Sequence, residues 1–239
     1  MLEKINYKSA PKEIVNALLT LYHQGKFDDV LSRSPQLIEE YPQTFELHNI
    51  LGAITFKKGD TEKALKHFSI LIKLFPKNPQ AYNNLGTTLL DIKEYKKAQK
   101  ALQKAIKLEP TYAEAFNNLG NVYSEIKQYD QAIKKYKKAI ILNPEYYEAY
   151  NNLGIVLGKN ENFEEAEKSL AKAISINPHF PEAFNTQATF LIKSGNFEKA
   201  LVKIKRAIQL KPNFSAAYRN LALIYDEFGN HNLSFEYLK

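Results

Sequence analysis

The sequence predicts an all-α solenoid in which antiparallel helix pairs stack one after another. Three observations support this prediction. Small residues and prolines recur every 34 residues, apolar residues within each repeat follow helical spacing, and no alternating strand pattern competes with them. In such an architecture each helix pair buries its apolar side only against its neighbours, so the core continues along the array.

The 34-residue period is visible in several series of residues that keep the same phase. The motif Asn-Asn-Leu-Gly stands at 83–86, 117–120 and 151–154. Glycines, two sets of alanines and prolines repeat with the same step, and independent series in phase are a strong repeat signal. These series are Gly52, Gly86, Gly120 and Gly154; Ala64, Ala98, Ala132, Ala166 and Ala200; Ala105, Ala139, Ala173 and Ala207; and Pro42, Pro76, Pro110, Pro144, Pro178 and Pro212.

We number each repeat unit from 1 to 34, with the prolines at position 32. Residues 1–10 are then a lead-in, and the array covers 11–239. The first unit departs most from the pattern, because Leu18 occupies the glycine position 8 and Val30 the alanine position 20. The units are 11–44, 45–78, 79–112, 113–146, 147–180, 181–214 and a partial unit, 215–239.

Each unit is predicted to hold two amphipathic helices, helix A and helix B, separated by a tight turn such as the one at Gly59. Asn78-Pro79 predicts the start of a helix A, because Asn caps helices and Pro suits their first position. Thr111-x-x-Glu114 has the pattern of a capping box. The apolar stripes of unit 113–146 are Phe116, Leu119, Gly120 and Tyr123, then Tyr129, Ala132, Ile133, Tyr136, Ala139 and Ile140.

The small residues predict where helices A and B approach closely. Glycine at position 8 and alanine at positions 20 and 27 have little or no side chain, so two helix backbones can cross there. Glycine inside a helix costs about 1 kcal/mol relative to alanine. Its repeated use at position 8 indicates that packing recovers this cost.

The Leu-Gly pair, the aromatic residue, the two alanines and the proline at these offsets resemble the tetratricopeptide repeat (TPR). The resemblance covers 11–239 and is strongest over 79–180. It implies a right-handed superhelix of helix pairs whose A helices line a concave groove where peptides dock. We therefore expect a protein- or peptide-binding scaffold or adaptor that takes extended segments.

A second interpretation follows from a further resemblance. The repeats are similar to the N-terminal arrays of bacterial proteins that continue into a sulfotransferase or glycosyltransferase domain. Under this alternative the chain is the substrate-recognition portion of a longer transferase, truncated at residue 239. The last unit is partial and no capping helix follows it, so several apolar side chains are expected to be partly uncovered. If the chain is complete, these side chains predict self-association. These side chains are Leu221, Tyr225, Phe235 and Leu238.

The recurring asparagines are the candidate peptide-binding residues. At 100° per residue, position 6 lies opposite the core face of helix A and position 5 lies on its flank. Amides have both donors and an acceptor, so a ladder of them can bind the backbone of an extended peptide. Position 6 holds Asn16, Asn84, Asn118, Asn152 and Asn220, of which the last four are candidates; position 5 holds the candidates Asn49, Asn83, Asn117, Asn151 and Asn185.

The position-6 series resembles the asparagine ladder in the groove of the O-linked N-acetylglucosamine transferase superhelix. By that resemblance its members contact a partner's main chain, although Ile50 and Thr186 interrupt the series. Position 5 has a structural alternative, in which its amides hydrogen-bond the adjacent repeat. Replacing the position-6 asparagines by alanine separates a role in binding from a role in the fold.

Charge divides between the two helices of a unit. The net charge is +7, and helices B carry most of the lysines, whereas position 2 of helix A holds Glu46, Glu114, Glu148 and Glu182. Solvated lysines on an outer face and acids at helix N-termini explain this division. The recurring aromatics read as packing residues rather than base-stacking platforms, so a nucleic-acid partner is not expected.

The sequence contains none of the residue patterns that enzymatic chemistry requires. There is no cysteine, and the five histidines lie at different unit positions without metal-ligand spacing. Neither a phosphate-binding glycine loop nor a nucleophile–base arrangement occurs. We therefore expect no catalytic, cofactor-binding or metal-binding residue, and no enzymatic activity of this chain.

The cellular location and the source organism are predicted from the absence of targeting segments and from the amino-acid composition. No signal-peptide pattern and no apolar run of about 18 residues is present, which predicts a cytoplasmic protein without a membrane span. Abundant lysine, asparagine, isoleucine and tyrosine are typical of an AT-rich bacterial genome, and lysine is also typical of surface helices.

Overall fold

The computed structural model describes residues 9–233, and this range is helical with no strand. The predicted all-α class is confirmed. Most of the lead-in (1–8) and the end of the partial unit (234–239, including Phe235 and Leu238) lie outside the described residues. The helices are α1 Lys12–His23, α2 Phe27–Glu40, α3 Phe45–Lys57, α4 Thr61–Leu74, α5 Pro79–Asp91, α6 Tyr95–Leu108, α7 Ala113–Glu125, α8 Tyr129–Leu142, α9 Tyr147–Lys159, α10 Phe163–Ile176, α11 Pro181–Lys193, α12 Phe197–Leu210 and α13 Ser215–Glu227.

The chain forms two compact parts, one ending at Val122 and one starting at Tyr123. In both parts the odd-numbered helices are the A helices and the even-numbered ones the B helices. The core of the N-terminal part includes Leu18, Val30, Leu47, Leu51 and Ile54, and then Ala64, Phe68, Leu71 and Ala81. The core of the C-terminal part includes Ala188, Ala200, Ile204, Ala207, Leu221 and Ile224.

Helices A and B of one unit meet at the small residues, as the sequence predicts. A Cβ atom added to Gly86 would lie 2.6 Å from Cγ of Leu102, and one added to Gly154 would lie 2.7 Å from Cγ of Leu170. Real Cβ contacts are longer, so only glycine permits this approach. The alanines of positions 20 and 27 have no exposed surface: Ala64, Ala98, Ala132, Ala166, Ala200, Ala105, Ala139, Ala173 and Ala207.

The turn between helix A and helix B places position 15 of every unit in the left-handed region of φ. Four units have glycine there, with Gly59 at φ +81° as an example, and nothing lies within 4 Å of its missing Cβ. Three units keep a side chain at this position and bear the strain of that conformation. The three are Lys93 (φ 61°), Lys127 (φ 59°) and Glu161 (φ 63°).

The two predicted helix starts have different outcomes. Asn78 caps α5 as predicted, because its Oδ1 accepts from the backbone N–H groups of Gln80 and Ala81 at 2.9 and 3.3 Å. The capping box at Thr111 is wrong, since α7 begins at Ala113. The Glu114 carboxylate instead accepts a hydrogen bond from Asn83 of the preceding unit at 3.0 Å.

The apolar end predicted around Leu221 also differs from the structure. Leu221 is 5% exposed and belongs to the core cluster of α12 and α13, where Ile204 and Ile224 have no exposed surface. Tyr225 is half-buried against the same cluster. The expectation that Leu221 is partly uncovered is therefore wrong, because α13 folds back on α12 and buries it.

Substituting Gly86 by alanine is expected to destabilise the protein by about 1–3 kcal/mol, because the new methyl group overlaps Leu102. Urea unfolding of Gly86→Ala measures the loss. In a Leu102→Ala background the methyl group has room, so the same substitution should cost much less. Equal costs in both backgrounds would contradict the close approach.

Substituting Lys127 by glycine is expected to stabilise the protein by about 0.5–1 kcal/mol. Glycine adopts the left-handed φ of this turn without strain, and this gain exceeds the added freedom of the unfolded chain. Thermal unfolding measures the change. Lys127→Ala keeps the Cβ atom that causes the strain and should give no increase, so a gain in both variants would assign the effect to the lysine side chain.

Candidate functional site: the asparagine face of the A helices

The structure divides the nine candidate asparagines by burial. Asn83 has no exposed surface, and Asn117, Asn118 and Asn151 are 5%, 8% and 5% exposed. The other five are half-buried: Asn49, Asn84, Asn152, Asn185 and Asn220. Burial is thus concentrated at position 5, and position 6 keeps the larger contact with solvent.

In the N-terminal part, position 6 of one unit hydrogen-bonds position 5 of the unit before it. Nδ2 of Asn84 donates to Oδ1 of Asn49 at 2.6 Å, and Nδ2 of Asn118 donates to Oδ1 of Asn83 at 3.0 Å. The partners are 35 residues apart in sequence, so each bond joins two A helices. These bonds are the contacts to the adjacent repeat that the structural alternative for position 5 describes.

The same junction recurs within the C-terminal part. Nδ2 of Asn220 donates to Oδ1 of Asn185 at 2.9 Å. Thr186 replaces asparagine at position 6, and its hydroxyl lies 2.9 Å from the carbonyl oxygen of Glu182 and 3.4 Å from Oδ1 of Asn151. A hydroxyl has one hydrogen to donate, and Glu182 is the closer acceptor, so at Thr186 the contact between units is at most a weak one.

Threonines at position 9 complete two of these junctions, and the sequence analysis missed them. Oγ1 of Thr87 accepts a second bond from Nδ2 of Asn118 at 3.2 Å, and Oγ1 of Thr189 accepts one from Nδ2 of Asn220 at 3.0 Å. Both hydroxyls donate to the backbone carbonyl of their own position-5 asparagine. Threonine at position 9 in two units was the signal that could have revealed them.

The nitrogen of the Asn83 amide, like its oxygen, bonds the next unit. Its Nδ2 donates to Oε1 of Glu114 at 3.0 Å, and the Tyr112 hydroxyl lies 3.5 Å from the second carboxylate oxygen. Burial, followed by the charges of Glu114 and Glu109, raises the pKa of the Tyr112 phenol, so it stays a neutral donor. Asn83 therefore joins its own unit to the next one through both ends of its amide.

The arrangement fixes the orientation of the position-6 amides. Both N–H groups of Asn118 and Asn220 donate to the preceding unit, because each has one asparagine and one threonine acceptor. An amide held in this way can engage a further group only through its oxygen. At Asn118 that oxygen lies 3.5 Å from Nδ2 of Asn117. Contact of any of the nine asparagines with a peptide stays a prediction.

Comparison with known proteins identifies the repeat. Models described as tetratricopeptide repeat match residues 51–78, 68–100, 113–146 and 147–180, and one described as TPR repeat matches 88–127. Together these matches span more than half of the chain. The chain belongs to the tetratricopeptide repeat family. No curated protein matches it.

Solved structures with the same fold include other TPR proteins. MamA is 30% identical, with a TM-score of 0.56, over 68% of this chain and 95% of its own. PilF of Pseudomonas aeruginosa (18% identity, TM-score 0.71) is matched over 91% of this chain and 96% of its own. For PilW, a type IV pilus biogenesis factor, these values are 24%, 0.71, 81% and 90%. They confirm the TPR solenoid as the fold class. Membership of the TPR family supports, in general terms, a protein-interaction scaffold.

The predictions about metal sites and membrane spans can be compared with the described part of this TPR protein. Within residues 9–233, no group of three or more His, Asp or Glu side chains converges in a way that could hold a metal ion. None of the helices described combines the length and apolar character that crossing a membrane requires. The compartment stays a prediction.

The TPR packing brings together two histidines that the sequence analysis treated as unrelated. Nδ1 of His48 lies 3.2 Å from Nδ1 of His67, and Nε2 of His48 lies 2.9 Å from the carbonyl oxygen of Pro42. A carbonyl only accepts, so Nε2 of His48 is protonated, its Nδ1 accepts, and His67 donates. Helices α3 and α4 position this pair, which spacing along the sequence did not indicate.

Both histidines are kept neutral by their surroundings. Burial lowers the pKa of His48, against the opposing effect of the Pro42 carbonyl. Burial, followed by the charges of His48 and Lys66, lowers the pKa of His67 to about 4. Protonation of this histidine pair in acid is therefore expected to destabilise the folded state.

Acidification is expected to destabilise the protein between pH about 6.5 and about 4 through this pair. Below the ordinary histidine pKa of about 6.5 the unfolded chain binds a proton that folded His67, with its pKa of about 4, does not take up. The free energy of unfolding should therefore decrease as the pH is lowered, by up to about 3 kcal/mol. Urea unfolding at a series of pH values measures the fall.

The variant His67→Asn separates the pair from the carboxylates that also titrate in acid. An asparagine Nδ2 can donate to His48 in place of Nδ1 of His67, but it does not bind a proton. Its unfolding free energy should depend less on pH than that of the wild type. His179→Asn, at an exposed site, is the matched control and should keep the wild-type slope. Identical slopes in all three proteins would exclude the pair as the cause.

Proposed function

We propose that this chain is a scaffold that binds an extended protein segment along the asparagine face of its A helices. The position-6 asparagines Asn84, Asn118, Asn152 and Asn220 accept hydrogen bonds from backbone N–H groups of the segment. A contact of this kind reads the main chain, so segments of varied sequence can bind. TPR membership supports the general role, and the hydrogen bonds between units support this specific mode.

The observation that carries the proposal is the fixed direction of the position-6 amides. Nδ2 of Asn84 and of Asn220 donates to the preceding unit, so the amide cannot turn without breaking that bond. A preoriented acceptor loses little side-chain entropy when a ligand binds, which favours association. Half-burial of both residues leaves room for the segment to approach.

The position-5 asparagines take the supporting role in this proposal. Asn83, Asn117 and Asn151 are buried, and both ends of the Asn83 amide already bond residues of the next unit, Glu114 and Asn118. A buried amide with its bonds satisfied stabilises the face and orients its neighbour. We therefore assign Asn49, Asn83, Asn117, Asn151 and Asn185 to holding the acceptors rather than to the main contact.

The acidic residues of this face contribute less charge than their number implies. Glu182 forms an ion pair with Lys211 at 3.1 Å, and Glu114 accepts from Asn83. Exposed pairs of this kind are screened and add little energy. The bound segment is accordingly expected to be extended and not to need a strong charge of its own.

Backbone methylation tests the main-chain contact directly. A peptide selected from a phage-displayed random library is resynthesised with N-methyl groups at alternate residues, which removes N–H donors and keeps every side chain. Each lost hydrogen bond of about 1.4 kcal/mol weakens binding about tenfold, as fluorescence anisotropy would show. Methylated and unmodified peptides of equal affinity would contradict the proposal.

Matched asparagine variants locate the contact. The triple variant Asn84→Ala, Asn118→Ala and Asn152→Ala should lose both peptide affinity and some stability, because it removes acceptors and bonds between units. The variants Asn49→Ala and Asn185→Ala keep the position-6 oxygens but remove the acceptors that orient Asn84 and Asn220, so they should lower the unfolding free energy by about 1 kcal/mol and weaken the affinity less than the triple variant does. An unaffected affinity in the triple variant would place the peptide elsewhere.

Two predictions from the sequence remain as they were. The alternative role as the substrate-recognition portion of a longer transferase stays a prediction, and so does self-association through the C-terminal end. The position-6 contact is compatible with the first of these, because an array that selects a protein substrate would use the same face.

A further inference from the structure

Four residues that depart from the repeat lie around one cleft between α10, α11 and α12. At the unit positions of Glu167, Gln187 and Val202 most other units hold the opposite kind of residue, and at that of Ser194 three of the other six do. Glu167 stands where Leu31, Leu65, Ile133 and Leu201 occur; Gln187 where Leu51, Leu85, Leu119, Leu153 and Leu221 occur; Ser194 where Ile92, Ile126 and Phe228 occur; and Val202 where Lys66, Lys100, Lys134 and Lys168 occur.

The cleft has a volume of about 720 Å³, which is within the size range of ligand sites of about 300–1,000 Å³. Leu170, Phe190 and Leu191 line its interior. Two apolar side chains at its edge are largely exposed, Phe163 by 57% and Val202 by 65%. We call this feature the α10–α12 cleft.

The equivalent place one unit later shows why the cleft is open. There Phe197, at the unit position of Phe163, packs edge-to-face on Phe228 with ring centroids 6.3 Å apart. Phe197 is half-buried by this and the surrounding core. Ser194 occupies the position of Phe228 in the preceding unit and is too short to cover Phe163.

Gln187 adds a polar defect to the same place. Its Oε1 is buried and has no hydrogen-bond partner in the described part of the chain. An unsatisfied buried acceptor costs about 1–3 kcal/mol, whereas the leucine found here in the other units would cost nothing. A local loss of stability without a structural gain is typical of a functional site.

The edge of the cleft is positively charged. Lys193, Lys199 and Lys203 line it on the side of α11 and α12, against the single acid Glu167 on α10. A charged edge around an apolar interior selects an amphipathic ligand of the opposite sign. The cleft is lined by both B helices, α10 and α12, and is distinct from the asparagines of the A helices.

We propose that the α10–α12 cleft is a docking site for an acidic amphipathic protein segment. The segment inserts an aromatic or branched aliphatic side chain between Phe163 and Val202, and its carboxylates face the three lysines. Insertion removes both exposed side chains from water and supplies the cover that Ser194 does not give.

A short designed peptide tests this proposal. It is fluorescein-labelled, rich in Glu and Asp, and carries Phe and Leu at helical spacing; a twin peptide has Lys at every acidic position. Fluorescence anisotropy should show binding of the acidic peptide by the wild-type protein and at least about tenfold weaker binding of the twin, which corresponds to about 1.4 kcal/mol.

Two variants alter the cleft in different ways. Val202→Ser removes an exposed apolar side chain without changing the charge, and Ser194→Phe supplies the cover that Phe228 gives to Phe197. Both should weaken binding of the acidic peptide about tenfold or more. Ile141→Ser, at another exposed apolar residue of a B helix (70% exposed), is the matched control and should bind as the wild type does. Melting curves confirm that each variant is folded.

Several outcomes would overturn the proposal. Absence of binding at millimolar acidic peptide would do so, as would equal affinity for the basic twin. Wild-type affinity in the Val202→Ser variant would place the peptide at another surface, whether or not Ser194→Phe folds. Binding of dodecanoate without binding of the peptide would make the cleft a site for small amphipathic molecules rather than for a protein segment.

Discussion

The contact between helix backbones at small residues is the constraint on which the rest of this structure depends. Where Gly86 meets Leu102 and Gly154 meets Leu170, no room exists even for a methyl group. The buried alanines of the B helices make the facing side of each crossing equally thin. Because this packing sets the geometry within a helix pair, the remaining faces of both helices are left for contacts between units and with partners.

Polar contacts on the A helices provide a second, weaker connection between units. Each asparagine at position 6 that bonds position 5 of the unit before it fixes the distance between two successive A helices at that point. Such bonds contribute modestly to stability, but leaving one partner buried and unpaired costs more. The same bonds orient the amides, so fold and recognition share residues on this face, and neither role excludes the other.

A repeat protein carries its own reference for what each position needs structurally. A residue that follows the repeat is explained by packing, as the alanines are. Gln187 and Val202 do not follow it, and with Ser194 they line a cleft at the place where Phe228 covers Phe197 one unit later. His48 and His67 similarly form a pair peculiar to one unit, which makes that unit sensitive to acid. Departures that converge in space are therefore more informative about function than the repeat itself.

The sequence by itself determined the helices, the small-residue crossings and the position of the turns, because these follow from periodicity and backbone preference within one unit. It also indicated the asparagine series, and it left open whether position 5 faces a ligand or a neighbouring unit. Only the tertiary structure showed that Nδ2 of Asn118 bonds Asn83 and Thr87, that Glu114 turns to Asn83 rather than to its own helix start, and that two histidines meet. These contacts join residues on different helices, and their distances depend on how successive helices pack, which no local pattern encodes.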